Sequence, residues 1–165
     1  EFMLIHLKNK DKLLVSDFKF KCCIGKNGVK KHKIEGDNST PKGIFTIGIL
    51  YYRKDRVRKP ITNLKTKVIQ KNMGWCNDSK NKYYNKEIRI QKKISHEKLY
   101  RKDHRYDYFI VINYNTKKII PNKGSAIFIH LSQNYYPTAG CIAIQKKDFL
   151  ILLKLINKKT KIKIY

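Results

Sequence analysis

Short apolar runs separated by polar turns recur along this chain, and they predict a mainly β fold. Strands are expected where apolar residues alternate with polar ones, or where β-branched and aromatic residues form a short continuous run. The segments that meet either condition are 3–7, 18–24, 44–52, 64–70, 87–90, 106–113, 125–129, 142–144 and 161–165. Segment 106–113 is rich in β-branched and aromatic residues, so we expect it near the centre of a sheet.

Two segments are predicted to be helical. In 146–156 the apolar residues form one broad stripe, which favours an amphipathic helix packed against the sheet. Ser95 is a suitable N-cap for a short helical turn that continues to Arg101. Together with the strands, these segments predict a β-rich α+β fold.

Two connections between strands are also informative. Asn27-Gly28 follows the second predicted strand and indicates a hairpin turn, because both residues accept the positive φ angles that such a turn needs. The polar segment 53–93 contains only two short apolar runs. We expect this segment to lie over the functional site, as loops that carry function do.

The length of 165 residues suits a single domain, predicted to span 1–165. Glu1 and Phe2 precede Met3, and we interpret them as a cloning remnant. The residues from Met3 onward lack the apolar core of a signal peptide, and no apolar run is long enough for a transmembrane helix. We therefore expect a soluble, cytoplasmic protein, or a periplasmic one if an export segment once preceded this chain. The oligomeric state is not indicated.

The formal net charge of +26 suggests an anionic partner. However, only six of the 38 basic residues are arginine, and the lysines are dispersed through every segment. An AT-rich genome explains this excess of Lys, together with Asn, Ile and Tyr. Since no nucleic-acid-binding motif is present, we expect no nucleic acid partner. A non-catalytic basic module that binds nucleic acid or an anionic wall polymer remains the alternative function.

The four cysteines predict neither a metal site nor a disulfide framework. Cys22, Cys23, Cys76 and Cys141 lack the paired spacing of a zinc site. Cys76 either lines a pocket or packs beside Trp75. Nucleotide-binding glycine patterns and a G-x-S-x-G motif are also missing from the sequence. We predict no cofactor.

Residues 124–144, GSAIFIHLSQNYYPTAGCIAI, carry the candidate chemistry. His130 ends an apolar run where the chain turns polar, and Cys141 stands where a loop re-enters a strand. A thiolate is a nucleophile, and a neighbouring imidazole promotes its formation. We expect an imidazole nitrogen within about 3–4 Å of the sulfur, and backbone N–H groups of Gly140 and Cys141 that bind an oxyanion. This pattern indicates acyl transfer, and the alternative is an inert packing cysteine.

The same stretch resembles the signature of the YkuD family, the L,D-transpeptidase catalytic domain. That signature is a His, a variable loop and then Ser/Thr-His-Gly-Cys; this sequence is similar to the branch with a short loop and a PTAGC motif. Four further blocks resemble the family in the same order: 33–45, 51–56, 74–86 and 95–115. Two positions depart from the broader pattern, since Ala139 replaces a His and Ala143 replaces an Arg or Asn.

The resemblance implies a YkuD-like twisted sheet sandwich with a helix after the catalytic cysteine, and a bacterial cell-wall enzyme. In this family the cysteine attacks the carbonyl of the third residue of a peptidoglycan stem peptide and expels the terminal D-amino acid. An amine acceptor makes the enzyme an L,D-transpeptidase, and water makes it an L,D-carboxypeptidase. Carried onto this chain, Cys141 is the nucleophile, His130 the general base and Gly140 an oxyanion donor, with no metal.

The carboxylates of a stem peptide or muropeptide require cations, and arginine binds a carboxylate with two parallel hydrogen bonds. The predicted substrate-binding residues lie in the family-like blocks or beside Gly140: Arg53, Arg56, His96, Arg101, Thr138 and Ala139. The alternatives are surface ion pairs for the arginines and a structural role for His96. Trp75, Tyr84 and Tyr106 either shape the cleft or pack in the core.

Overall fold

The computed structural model describes residues 3–165, so the interpretation of Glu1 and Phe2 as a cloning remnant lies outside the described residues. The chain is mainly β, with 38% of its residues in strands and 6% in helix, as predicted. The elements are β1 Leu4–Lys8, β2 Lys12–Val15, β3 Phe18–Cys23, β4 Val29–Lys30, β5 Thr40–Pro41, β6 Gly43–Tyr52, β7 Thr66–Val68, β8 Met73–Cys76, β9 Glu87–Arg89, β10 His96–Lys98, β11 Tyr108–Ile112, β12 Phe128–Leu131, β13 Ile142–Ile144, α1 Lys146–Leu155 and β14 Lys161–Ile164. Within this range no helix has the length and hydropathy needed to cross a membrane.

The largest sheet of the described residues runs β11-β12-β13-β3-β2-β1-β14-β6-β7, and it closes on itself because β6 also pairs with β11. The sheet forms two layers, one with β1, β2 and β14 and the other with β11, β12 and β13, and two strands belong to both. Residues 43–46 of β6 pair with β14, whereas 47–52 pair with β11. Likewise, β3 pairs first with β2 and then, through Cys22 and Cys23, with β13. The predicted central strand, β11, lies between β12 and β6.

The main core fills the space between the layers and includes the helix. Phe149, Leu152 and Leu153 of α1 are fully buried against it, and Phe149 stacks on Tyr108 with ring centroids 5.7 Å apart. Burial of each such side chain stabilises the fold by about 1.5–3 kcal/mol. The helix is thereby fixed directly after β13, as the apolar stripe predicted.

A second, aromatic cluster lies on the other side of β11 and β12. The Phe109 ring stacks between Tyr51 and Phe128, at centroid distances of 4.6 and 4.4 Å. Trp75 of β8 meets Phe128 edge-on. Cys141 belongs to this cluster, so the sulfur rests on a packed aromatic layer.

Three local predictions were wrong. Segment 95–101 is not helical, because His96–Lys98 form β10 and pair with β8, and Ser95 Oγ hydrogen-bonds Asn77 Oδ1 instead of capping a helix. Asn27-Gly28 does not close a hairpin: only Gly28 has positive φ, and β4 pairs in parallel with β5 rather than with β3.

The third error concerns the strand that carries the histidine. The predicted strand 125–129 begins only at Phe128, because Ala126 adopts a φ of +54°. His130 therefore lies inside β12, not just after it. Strands β2, β4, β5 and β8 were also not predicted, since β4 and β5 have only two residues each and the four-residue β2 and β8 do not alternate clearly in sequence.

Candidate active site

His130 and Cys141 come together because they belong to adjacent parallel strands. Ile129 and His130 of β12 pair with Ile142 and Ala143 of β13, and Cys141 immediately precedes β13. Side chains alternate along a strand, so Cys141 and Ala143 project to the same face of the sheet as His130. His130 and Cys141 both line one cavity of about 320 Å³.

The thiol of Cys141 is a neutral group held by two backbone contacts. Its Sγ accepts the Phe128 N–H at 3.3 Å, and the S–H donates to the Ala126 carbonyl at 3.1 Å. Burial and then the negative charge of Glu97 raise the pKa of the thiol to about 12, although the Phe128 N–H and the charge of Lys33 oppose this. Cys141 is therefore a thiol at neutral pH, and formation of its thiolate requires a proton acceptor.

The imidazole of His130 is oriented as a base. Its Nδ1 lies 2.9 Å from the Leu131 carbonyl, which requires a proton on Nδ1 and leaves the lone pair on Nε2. Burial lowers the pKa of His130 to about 4, so the ring is neutral at pH 7. Between the described residues, no hydrogen bond joins this ring to Sγ. The S–H donates to the Ala126 carbonyl in this conformation, so transfer of its proton to Nε2 requires the S–H to turn away from Ala126.

The loop before the cysteine is positioned by two threonine hydroxyls. Thr40 Oγ1 donates to the Gly140 carbonyl at 2.8 Å, and Thr138 Oγ1 donates to the Cys141 carbonyl at 2.6 Å. The Gly140 N–H, predicted to bind an oxyanion, donates to Thr138 Oγ1 at 3.1 Å. To bind an oxyanion, it has to be shared with or released from this hydroxyl.

Lys33 is a buried cation beside this loop that the sequence analysis missed. The residue is 4% exposed, and its Nζ pairs with Asp37 at 2.8 Å. Asp37 also accepts the N–H groups of Ile34 and Ser39, and these donors with Lys33 hold the pKa of its carboxyl well below its usual value. The Lys33 ammonium lies 3.6 Å from the point where a Cβ on Gly140 would stand. It therefore places a fixed positive charge on the wall that carries Cys141.

Two carboxylates face the same cavity. Glu97 accepts a hydrogen bond from the Tyr106 hydroxyl, and burial raises the pKa of its carboxyl. Glu35 accepts hydrogen bonds from Tyr84 and Ser125, at 2.7 and 2.6 Å. With Arg105 also on the wall, the cavity presents both charges to a ligand.

The structure brings only half of the predicted substrate residues to the cavity. Arg101, Thr138 and Ala139 line it, whereas Arg53, Arg56 and His96 do not. The Nδ1 of His96 instead lies 2.7 Å from the Ile94 carbonyl.

Arg53 and Arg56 hold the segment that carries Arg101. Arg53 is 3% exposed, forms two hydrogen bonds to the Asp55 carboxylate and donates to the Arg101 carbonyl. Arg56 donates to the carbonyls of Lys102 and Asp103. The guanidinium N–H groups of both arginines therefore bind acceptors within the fold, so both residues have a structural role.

The structure also shows which of Trp75, Tyr106 and Cys76 line the cavity and which pack in the core. Tyr106 lines the cavity, whereas Trp75 packs in the aromatic cluster and donates to Asn85 Oδ1 at 2.9 Å. Cys76 is fully buried and absent from the cavity wall, so it is a packing residue. All four cysteines are free thiols. No group of three or more His, Cys, Asp or Glu in residues 3–165 is arranged to hold a metal ion.

A model of the YkuD family, described as the L,D-transpeptidase catalytic domain, matches residues 3–164. The chain belongs to the YkuD family. No curated protein sequence matches it. Membership makes this YkuD domain an L,D-transpeptidase-type enzyme that acts on peptidoglycan. The cavity residues that sequence reasoning missed, among them Lys33, Glu35, Asn77, Glu97 and Arg105, all fall in the family-like blocks quoted above.

Burial of His130 is expected to make the YkuD domain acid-sensitive. Its folded pKa of about 4 lies below the unfolded value of 6.5, so the unfolded chain binds the proton first as the pH falls. Stability is full above about pH 6.5, and about 2 kcal/mol is lost between pH 7 and pH 5. Urea unfolding at the two pH values measures this loss. In His130→Gln the loss should be smaller by that amount, and an equal loss in both proteins would contradict the assignment.

Lys33 and Glu97 are expected to shift the reactivity of Cys141 in opposite directions. Lys33→Met removes a positive charge that stabilises the thiolate of Cys141, so the thiolate becomes less favourable. Glu97→Gln removes a negative charge that destabilises the thiolate, so the thiolate becomes more favourable. Alkylation of Cys141 by iodoacetamide at a fixed mildly alkaline pH should slow by up to about tenfold in the first variant and accelerate in the second. Peptide mass spectrometry measures both rates. The exposed Lys30→Met gives the same change of net charge and should react like the parent protein.

Proposed function

We propose that Cys141 attacks the carbonyl of the third residue of a peptidoglycan stem peptide and forms a thioester. The observation that carries this proposal is the common cavity: the thiol and a neutral, correctly oriented imidazole line one wall, on adjacent strands. The geometry suits a neutral thiol–imidazole pair, in which the proton moves as the carbon–sulfur bond forms.

The proposed first step uses the existing hydrogen bonds. The S–H leaves the Ala126 carbonyl and gives its proton to His130 Nε2 as Sγ bonds to the substrate carbon. The carbonyl oxygen becomes an oxyanion, and N–H groups of the Gly140–Cys141 loop stabilise it. The carbon–nitrogen bond then breaks, and Nε2–H protonates the leaving amine of the D-amino acid. The acyl group remains on Cys141 as a thioester.

The proposed second step decides the product. If water attacks the thioester, His130 accepts its proton and the product is a tripeptide. If an amine of another stem attacks, the product is a 3→3 cross-link. The short PTAGC loop places Ala139 at the exposed rim of the cavity, so the family's second histidine has no counterpart there. In this proposal the buried Lys33 supplies positive charge at that wall, and Arg101 and Arg105 bind substrate carboxylates.

Incubation of the purified protein with a disaccharide tetrapeptide tests the proposal. Mass spectrometry is expected to detect an acyl adduct on Cys141 and either tripeptide or a cross-linked dimer. Tripeptide alone identifies an L,D-carboxypeptidase, and dimer identifies an L,D-transpeptidase. The proposal is wrong if the substrate is unchanged and Cys141 carries no adduct.

A further inference from the structure

One face of the large sheet carries a concentrated positive charge. Strands β1, β2, β3 and β14 contain six lysines and no Asp or Glu. The lysines are Lys8, Lys12, Lys19, Lys21, Lys161 and Lys163. They alternate with core residues, so all of them project away from the interior. We call this surface the lysine face.

The strand register places these side chains side by side. Lys8 pairs with Lys12, which pairs with Lys21, and Lys163 pairs with His6. Paired residues project to the same side of a sheet. The opposite side is buried, as shown by Ile5, Leu13 and Ile162, each fully buried. The charge therefore lies on one continuous surface.

Apolar and aromatic side chains are interspersed with the lysines. Tyr165 packs against the ammonium groups of Lys8 and Lys163, which lie 5.0 and 4.5 Å from its ring centroid. Ile44 pairs with Lys163 and is 58% exposed. Leu14 pairs with Lys19 on the same side and is half-buried. The lysine face thus combines ammonium groups with hydrocarbon.

We propose that the lysine face docks on the surface of an anionic phospholipid bilayer. Lysine ammonium groups are attracted to such a surface without a defined geometry, and the accompanying apolar side chains enter the interface. A hydrated polyanion, unlike a bilayer, offers no apolar environment for the exposed Ile44 side chain. Single-stranded nucleic acid favours several stacking aromatic rings and arginine forks, but the strands of this face contain no arginine. The proposal is independent of the reaction at Cys141.

Co-sedimentation with vesicles tests the proposal. The full chain is expected to partition onto phosphatidylcholine vesicles that contain phosphatidylglycerol, and not onto phosphatidylcholine alone. The triple variant Lys12→Gln, Lys19→Gln, Lys163→Gln should lower the partition coefficient about a hundredfold. The control variant Lys54→Gln, Lys71→Gln, Lys92→Gln has the same net charge and changes exposed lysines elsewhere. It should stay within about threefold of the parent protein.

Two results would overturn the proposal. Equal losses in the two triple variants would mean that total charge, not this face, drives binding. Unchanged partitioning of Ile44→Ser would mean that the face binds anions without entering the bilayer. Circular dichroism melts of each variant verify that the fold is retained, so a loss of binding is not a loss of structure.

Discussion

Replacement of Cys141 by alanine is expected to lower the rate of stem-peptide cleavage at least about a thousandfold. Among the described residues no other cysteine lines the cavity. Without the thiol, water would have to attack the substrate directly, with no covalent acyl-enzyme intermediate. The fold should survive, because the variant loses only a small side chain and two weak hydrogen bonds to the backbone. Release of tripeptide or dimer from a disaccharide tetrapeptide, followed by mass spectrometry, measures the effect.

Cys76→Ala is the matched control for this experiment. Cys76 is also a buried free thiol, but it lies outside the cavity wall. Its variant should keep the parental rate apart from any change in stability. Retained activity in Cys141→Ala would exclude this sulfur as the nucleophile and leave the family assignment without its proposed mechanism.

The second large effect is expected for Gly140→Ala. Gly140 has a φ of +147°, and a Cβ there would stand 2.7 Å from the Ser39 carbonyl oxygen. Strain of this kind costs about 2–3 kcal/mol. Because the loop carries both the proposed oxyanion donors and Cys141, its displacement should lower activity about a hundredfold. Urea unfolding and the cleavage assay measure the two effects separately.

Gly28→Ala separates backbone strain from displacement of the loop. Gly28 has a φ of +79°, but its nearest neighbours are the end atoms of Lys10, at 3.7 Å or more. We expect a loss of about 1 kcal/mol and parental activity. If Gly140→Ala behaves in the same way, the contact with Ser39 has no part in positioning Cys141.

Local pattern predicted the elements best where the apolar signal extends over a long segment. The continuous apolar runs of β6 and β11 and the apolar stripe of α1 were predicted to within a few residues. Segment 95–101 failed for a physical reason. Ser95 offers a local capping signal, but pairing with β8 and complete burial of Leu99 stabilise a strand there instead. Weak helix propensity does not withstand such tertiary contacts.

The same distinction applies to the substrate residues. Arg53 and Arg101 lie in family-like blocks, and each pairs with an aspartate two residues on, Asp55 and Asp103. However, Arg53 lies away from the cavity and donates to the Arg101 carbonyl, whereas Arg101 lines the cavity. Nothing in the local sequence separates these two outcomes. The position of Lys33 could not be predicted either. Its ammonium pairs with Asp37, four residues on, and it lies close to Gly140, which is more than a hundred residues away in sequence.

The sequence by itself determined the β-rich fold and the family, and it singled out His130 and Cys141 as the candidate catalytic pair, because apolar periodicity and a contiguous motif are local properties of a chain. Only the tertiary structure decided which charges surround the sulfur, which arginines line the cavity, and that the S–H donates to the Ala126 carbonyl. These depend on segments distant in sequence that pack together, and burial then sets the protonation of each group.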